Sequence, residues 1–169
     1  SGLGVETVVS EALLIPDPEK TLRDGGILFF KGSSDSKEQK YLEALCEHYG
    51  INVDNKISEL SHDELHQLLY ADDQIRYKLS YKEGKRRKQH YVYLKGAISV
   101  IQDRIASSDT SEQSGVYSRY MEDIPCHVCH GAKLCPDVLI YKVGDMNYSE
   151  AEKMEFTSLR SWLKEINCN

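Results

Sequence analysis

The sequence predicts an α+β fold, an antiparallel β-ribbon or small sheet with several packed helices. Three patterns predict it. Apolar and polar, mostly basic, residues alternate strictly over 75–82, the period of a half-buried strand. A turn at Glu83-Gly84-Lys85 and a second strand at His90–Leu94 close that strand into a hairpin. Apolar residues at helical spacing recur on both sides of it.

The elements follow in order. Residues 1–15 form a mixed apolar stretch, which Pro16-Asp17-Pro18 interrupts. Asp24-Gly25-Gly26 is a turn, and the unbroken apolar run Ile27-Leu28-Phe29-Phe30 reads as a strand. Residues 32–36 form a loop. A helix spans about 36–49, with Leu42, Leu45, Cys46 and Tyr49 on one face and Gly50 as its stop. A second helix opens at Ser61, where Ser61 and Glu64 make a capping box ahead of Leu65, Leu68 and Leu69.

In the hairpin, Ile75, Tyr77, Leu79 and Tyr81 alternate with Arg76, Lys78, Ser80 and Lys82. Ala97 to Ile105 is a helix, 106–114 a polar loop and Val116 to Met121 a short helix. Pro125 then breaks the chain. Val138 to Val143 reads as a strand, Gly144-Asp145 as a turn and Ser149 to Lys153 as a short helix. Thr157 caps a last helix to about Ile166, with Leu159, Trp162, Leu163 and Ile166 inward.

Charge is unevenly distributed. Eight basic residues and one acid, Glu83, lie between Arg76 and Lys95, so the formal charge of −6 divides into +7 there and −13 over the remaining residues. Lysines and arginines interleaved with Tyr77, Tyr81, Tyr91 and Tyr93 suit contact with a phosphate backbone. Lysines also protect an exposed strand edge from aggregation, but a tip of Lys85-Arg86-Arg87-Lys88 exceeds that need.

The five cysteines, Cys46, Cys126, Cys129, Cys135 and Cys168, do not form a secreted disulfide framework, and a reducing, cytoplasmic setting fits them best. Cys46 lies on an apolar helix face and Cys168 near a frayed end. Cys126-His127-Val128-Cys129-His130-Gly131 has the spacing of a zinc knuckle, in which two thiolates share one ion. One pair is half a tetrahedral site, with His127, His130 or Cys135 as local candidates to complete it. The opposing reading is two free thiols in a turn.

No phosphate-binding loop and no nucleophile–base–orienter set is present in the sequence, so no enzymatic role is expected of this segment. His48, His62 and His66 read as helix-surface residues. No apolar run approaches the roughly 20 residues that cross a bilayer, so no membrane partner is expected.

Taken together, the motifs resemble the UvrA family, the damage-recognising component of the excinuclease ABC system. Leu14-Ile15-Pro16-Asp17-Pro18 with Leu22-Arg23-Asp24-Gly25 resembles that family's V-P-D-P-x-x-S-L-R-x-G. Gly84-Lys85-Arg86-Arg87 through Ile98 is similar to its G-x-R-R and F-E-G-V-I-P. Arg119-Tyr120-Met121, Pro125 to Leu134 and Pro136 to Gly144 resemble its R-Y-M, C-P-x-C-x-G-x-R-L and P-E-x-L-A-V-x-V-G. Gly2-Leu3-Gly4 looks like the tail of its C-x-x-C-x-G-L-G. The departures are His127 and Ser99 where the family has proline, Lys133 where it has arginine, and the added Cys135.

The resemblance implies an excised insertion domain of an ABC-type ATPase that recognises damaged double-stranded DNA in nucleotide excision repair. Residues 1–31 would then be flanking strands, 32–121 the insertion domain with its basic hairpin at 75–95, and 122–169 the knuckle, a strand and the C-terminal helix. DNA contacts are carried over to Lys85, Arg86, Arg87 and Lys88, with Lys78, Lys82, Lys95 and Arg104 secondary. Cys126 and Cys129 would bind zinc with partner cysteines preceding Gly2, and ATP would bind in parent domains beyond this segment. The implied partners are the rest of UvrA, its dimer mate, and UvrB in the excinuclease complex. The competing expectations are a protein-interaction module that docks another subunit or an acidic partner, a stand-alone metal-binding module, and a domain of a UvrA-like paralogue outside repair.

Overall fold

Helix caps and turn residues place the main elements where the sequence predicts them. The computed structural model describes residues 2–73, 75–107 and 115–166. Cys168 and most of the predicted 106–114 loop lie outside them. The chain divides into two compact units, one built from 1–8 and 122–169, the other from 9–121.

The larger unit opens with α1 (Glu11–Leu14), a single turn. The run at 27–30 is a 3₁₀ turn, Leu28–Phe30, instead of the expected strand. Its backbone is satisfied locally: the Phe30 N–H donates to the Ile27 carbonyl (3.1 Å) and the Lys31 N–H to the Leu28 carbonyl (3.2 Å). An unbroken apolar run does not distinguish a strand from a buried turn.

Helix α2 (Lys37–Tyr49) begins where the Ser36 hydroxyl accepts from the Gln39 N–H, and it ends at Gly50 in the left-handed conformation. Gln39 is buried, and its amide donates to the carbonyls of Arg23 (3.0 Å) and Phe30 (3.3 Å), fastening the preceding loop to the helix. Helix α3 (His62–Tyr70) carries the reciprocal Ser61–Glu64 capping box.

The hairpin is β2 (Arg76–Glu83) and β3 (Arg86–Tyr93), antiparallel, with Glu83 opposite Arg86 across the two-residue turn Gly84-Lys85. The return strand therefore starts four residues earlier than the apolar pattern suggests, because charged residues occupy both faces near the tip. Helix α4 (Ala97–Ala106) buries Ala97, Ile98 and Ile101. Residues 115–117 are helical and Ser118–Tyr120 is 3₁₀.

Leu14, Leu22, Ile27 and Phe30 share one core with Leu42, Leu45, Leu68, Leu79 and Ile98. Residues 9–31, which the resemblance assigns to the flank, thus pack with 32–121. At Gly96, a Cβ would lie 2.3 Å from the Leu69 carbonyl carbon and 2.4 Å from its oxygen.

In the smaller unit, β1 (Val5–Val9) pairs with β4 (Met121–Pro125), and the Thr7 hydroxyl donates to Asp123 (2.6 Å). The expected strand at 138–143 is instead α5 (Pro136–Leu139) followed by the two-residue strand β5 (Lys142–Val143). Pro136 occupies the first helical turn, where its fixed φ favours helix. A tight turn at Gly144 leads to β6 (Met146–Asn147), and Asn147 caps α6 (Tyr148–Glu152) through a second capping box. Helix α7 (Phe156–Glu165) starts after Glu155, with no side-chain cap from Thr157. Its expected inward face is only half-covered at Leu159, Trp162 and Ile166, and Leu163 is exposed.

Gly96→Ala should destabilise the chain by about 1–3 kcal/mol, because the methyl meets backbone that cannot move aside. Its urea midpoint, measured beside Gly50→Ala as a control for left-handed strain in open space, checks this. An unchanged midpoint would contradict it.

Candidate nucleic-acid interface

The register assigns every hairpin side chain to a face. Directly opposed residues share a face and faces alternate along each strand. Tyr77, Leu79 and Tyr81 therefore lie with Val92, His90 and Lys88, while Arg76, Lys78, Ser80 and Lys82 lie with Tyr93, Tyr91, Gln89 and Arg87. The first face meets α2: Leu79 is fully buried, and the Tyr77 hydroxyl donates to Glu47 (3.1 Å).

The second face is open and carries four cations and two exposed tyrosines, Tyr91 and Tyr93. The Arg76 guanidinium sits 4.2 Å from the centre of the Tyr91 ring. Lys82 lies 3.2 Å from Asp35. Lys85 and Arg86 stand at the tip and are exposed.

The remaining predicted contacts are placed differently. Lys88 is on the α2-facing side of the ribbon and is ion-paired with Glu83, a bond that holds the Glu83 carboxyl below its ordinary range and the Lys88 ammonium above its own. Lys95 lies between Asp103 and Asp72, 2.7 Å from each; these hydrogen bonds raise its pKa well above the usual lysine value and offset its charge. Arg104, on α4, donates to the Tyr117 hydroxyl (2.6 Å) and faces a groove away from the ribbon.

The tyrosines expected to interleave with the cations are split. Tyr77 and Tyr81 are half-buried beneath the ribbon, and Tyr91 and Tyr93 stand on the open face. Arg76 belongs to the basic segment but not to the expected contacts. Strand parity is the sequence signal that places it beside Lys78 and Lys82.

Tyrosine hydroxyls anchor the hairpin and its neighbours. Tyr41 accepts from the Lys95 N–H (2.7 Å) and donates to the Tyr93 carbonyl (2.9 Å). Tyr49 donates to Asp73 (2.5 Å) and Tyr70 to Glu11 (2.5 Å). Burial first, and the carboxylate partner second, raise the pKa of Tyr49, Tyr70 and Tyr77, that of Tyr70 to about 12.

In the smaller unit, the Cys126 N–H donates to the Gly4 carbonyl (2.9 Å) and the His130 N–H to the Cys126 carbonyl (2.7 Å). Positive φ at His130, Gly131 and Lys133 wraps the loop around Cys129. Burial raises the Cys129 pKa, but the backbone N–H groups of Lys133 and Gly131 and the Cys126 thiol outweigh it and lower the value overall. Both thiols are half-buried, and Cys135 is exposed. The Cys126 sulfur lies with ligand atoms of Glu6 and His127 within 4.8 Å, and the His127 ring nitrogen is 2.6 Å from Glu6.

Residues 11–119, most of the larger unit, match the family described as the UvrA DNA-binding domain. The chain belongs to the UvrA family. It is 30% identical over 164 residues to UvrABC system protein A of Agrobacterium fabrum, covering 96% of this chain and 17% of that protein. It is also 30% identical over 168 residues to the protein of the same name in Staphylococcus aureus strain MRSA252, covering 98% and 18%. The chain thus spans less than a fifth of these UvrA relatives. The crystal structure of UvrA2 from Deinococcus radiodurans shares the fold, with a TM-score of 0.64 at 17% identity over 96% of this chain and 21% of that one.

The tyrosine anchors of this UvrA domain give it a defined alkaline response. A folded-state pKa raised above the unfolded value contributes stability that is present below the unfolded pKa and lost as pH rises through the folded one. The urea midpoint should hold to about pH 10 and fall above it, less steeply in Tyr70→Phe and Tyr77→Phe. A midpoint flat through this window in the wild type would contradict the assignment.

Proposed function

We propose that this chain is the DNA-binding domain of a UvrA protein acting in nucleotide excision repair, and that it holds duplex DNA through the open face and tip of the hairpin. The observation that carries this reading is the register, which puts Arg76, Lys78, Lys82 and Arg87 on one open face beside Tyr91 and Tyr93, with Lys85 and Arg86 at the end. Clustered cations on an extended ribbon suit phosphates spaced along a strand. Such contacts are independent of base sequence, as a sensor of lesion-induced shape requires.

The secondary candidates rank lower. Lys95 is already matched by two carboxylates, Lys88 must part from Glu83, and Arg104 lies off the ribbon. The DNA-binding body is 9–121, with 1–8 and 122–169 as the flank that joins it to the parent.

In the parent we place an ABC-type ATPase whose ATP sites lie in other domains, with its dimer mate and UvrB as partners in the cytoplasm. The knuckle donors fit half of a zinc site: two adjacent half-buried sulfurs, with backbone N–H groups stabilising thiolate at Cys129. Cys126 and Cys129 would hold zinc together with cysteines outside this chain, and the ion's role would be structural. Zinc added to this chain alone should be readily stripped by a chelator and should not bind after Cys126→Ser and Cys129→Ser. One tightly held equivalent that survives both substitutions would contradict the assignment.

Binding of a lesion-bearing duplex measured against salt tests the main reading. Affinity should fall steeply with salt, and Arg76→Gln, Lys78→Gln and Arg87→Gln together should lower the logarithmic slope by roughly 0.9 per lost phosphate contact. Lys95→Gln should change it little. No binding at low salt, or a slope unchanged in the triple variant, would contradict it.

A further inference from the structure

The larger unit has a second cationic surface that the hairpin reading does not use. A groove of about 320 Å³ lies between the 3₁₀ turn at 28–30, the start of α2, the end of α4 and residues 116–120. That volume falls at the lower end of the small-ligand range, roughly 300–1,000 Å³. Among the described residues, four cations line it, Lys31, Lys37, Arg104 and Arg119, with one carboxylate, Glu38. Two neighbouring depressions extend the same walls, one at Lys31 and Arg119, the other at Arg104 and Val116.

The walls are also aromatic. Phe29, Tyr41 and Tyr117 are half-buried, so each keeps part of its surface open, and Tyr120 is buried. The Arg104 guanidinium lies 5.5 Å from the Phe29 ring centre and 5.8 Å from that of Tyr117, and the Arg119 guanidinium is 4.7 Å from that of Tyr120. Elsewhere Lys40, Lys56, Lys88 and Lys95 each meet a carboxylate. Among the described residues, Lys31, Lys37 and Arg119 form no such ion pair, although the chain is net acidic.

Planar apolar walls beside Lys31, Lys37 and Arg119 match one ligand chemistry, an aromatic base attached to a phosphate. A paired base in a duplex cannot present its face to such a groove, so only an unpaired nucleotide can enter. We propose that this groove is a subsite for one unpaired nucleotide of bound DNA, its base against Phe29 and Tyr117 and its phosphates near Lys31 and Arg119. The proposal rests on the DNA-binding reading and adds to it a preference for DNA with an extruded or unpaired base.

The test compares this chain's affinity for a fully paired duplex with that for the same duplex carrying one bulged 2-aminopurine. The bulged duplex should bind about tenfold tighter, with quenching of the 2-aminopurine, since stacking contributes roughly 1–3 kcal/mol per base. Val116→Trp, at a position 57% exposed, fills the groove without removing a core side chain. It should abolish the preference and the quenching while leaving paired-duplex affinity intact, as should Lys31→Gln with Arg119→Gln.

Equal affinity for the two duplexes in the wild type, with paired DNA still bound, would overturn the subsite alone. Loss of binding to both duplexes would overturn it together with the DNA-binding reading. A preference that persists in Val116→Trp would place the unpaired base elsewhere and overturn it. Free thymidine monophosphate should compete only at large excess. Saturable binding of the monophosphate without any preference for the bulged duplex would assign the groove to a soluble nucleotide and overturn the proposal.

Discussion

Burial of Leu79 against α2 is the constraint on which the rest depends. A side chain of that size contributes about 1.5–3 kcal/mol when it leaves water. Because strand side chains alternate, fixing Leu79 inward fixes Tyr77 and Tyr81 inward and sends Arg76, Lys78 and Lys82 outward. The antiparallel register carries the choice across to β3, where Arg87, Tyr91 and Tyr93 join the open face. A slip of one residue would bury lysines and expose Leu79, so the cationic surface and the core are specified by the same interaction.

Electrostatics then sorts the cations. Many of the body's acids have local partners: Asp54 pairs with Arg23, Glu19 with Lys56, and Asp72 and Asp103 with Lys95. Among the described residues, the ribbon's outer face has one comparable neighbour, Asp35 at Lys82. Among the described residues, the groove at Phe29 and Tyr117 is lined by four cations and the Glu38 carboxylate. A chain of net charge −6 thus presents two local surfaces of opposite sign to its average.

Features with a strong local signal are legible in the sequence. The Ser61–Glu64 capping box, the Gly50 stop and the alternation through Leu79 each depend on a few neighbouring residues, and all three stand in the structure. Segments whose state depends on partners are not legible. The run at 27–30 finds no partner strand, and Pro136 draws the 138–143 segment into a helical turn. Leu163 on α7 is apolar at helical spacing yet exposed, since periodicity records which face is apolar and not what covers it. The same holds at the site. The basic segment is visible in sequence, but the withdrawal of Lys95 by two distant aspartates and the convergence of Lys31, Arg104 and Arg119 on one groove are tertiary facts.

The most direct measurement of the central claim is lysine footprinting with an amine-reactive reagent, with and without lesion-bearing duplex DNA. The account predicts protection of Lys78, Lys82 and Lys85 on the open face and tip, with Lys20, Lys40 and Lys56 on the body labelled equally in both conditions. Unchanged labelling of Lys78, Lys82 and Lys85 under saturating DNA, or protection confined to the body lysines, would contradict it.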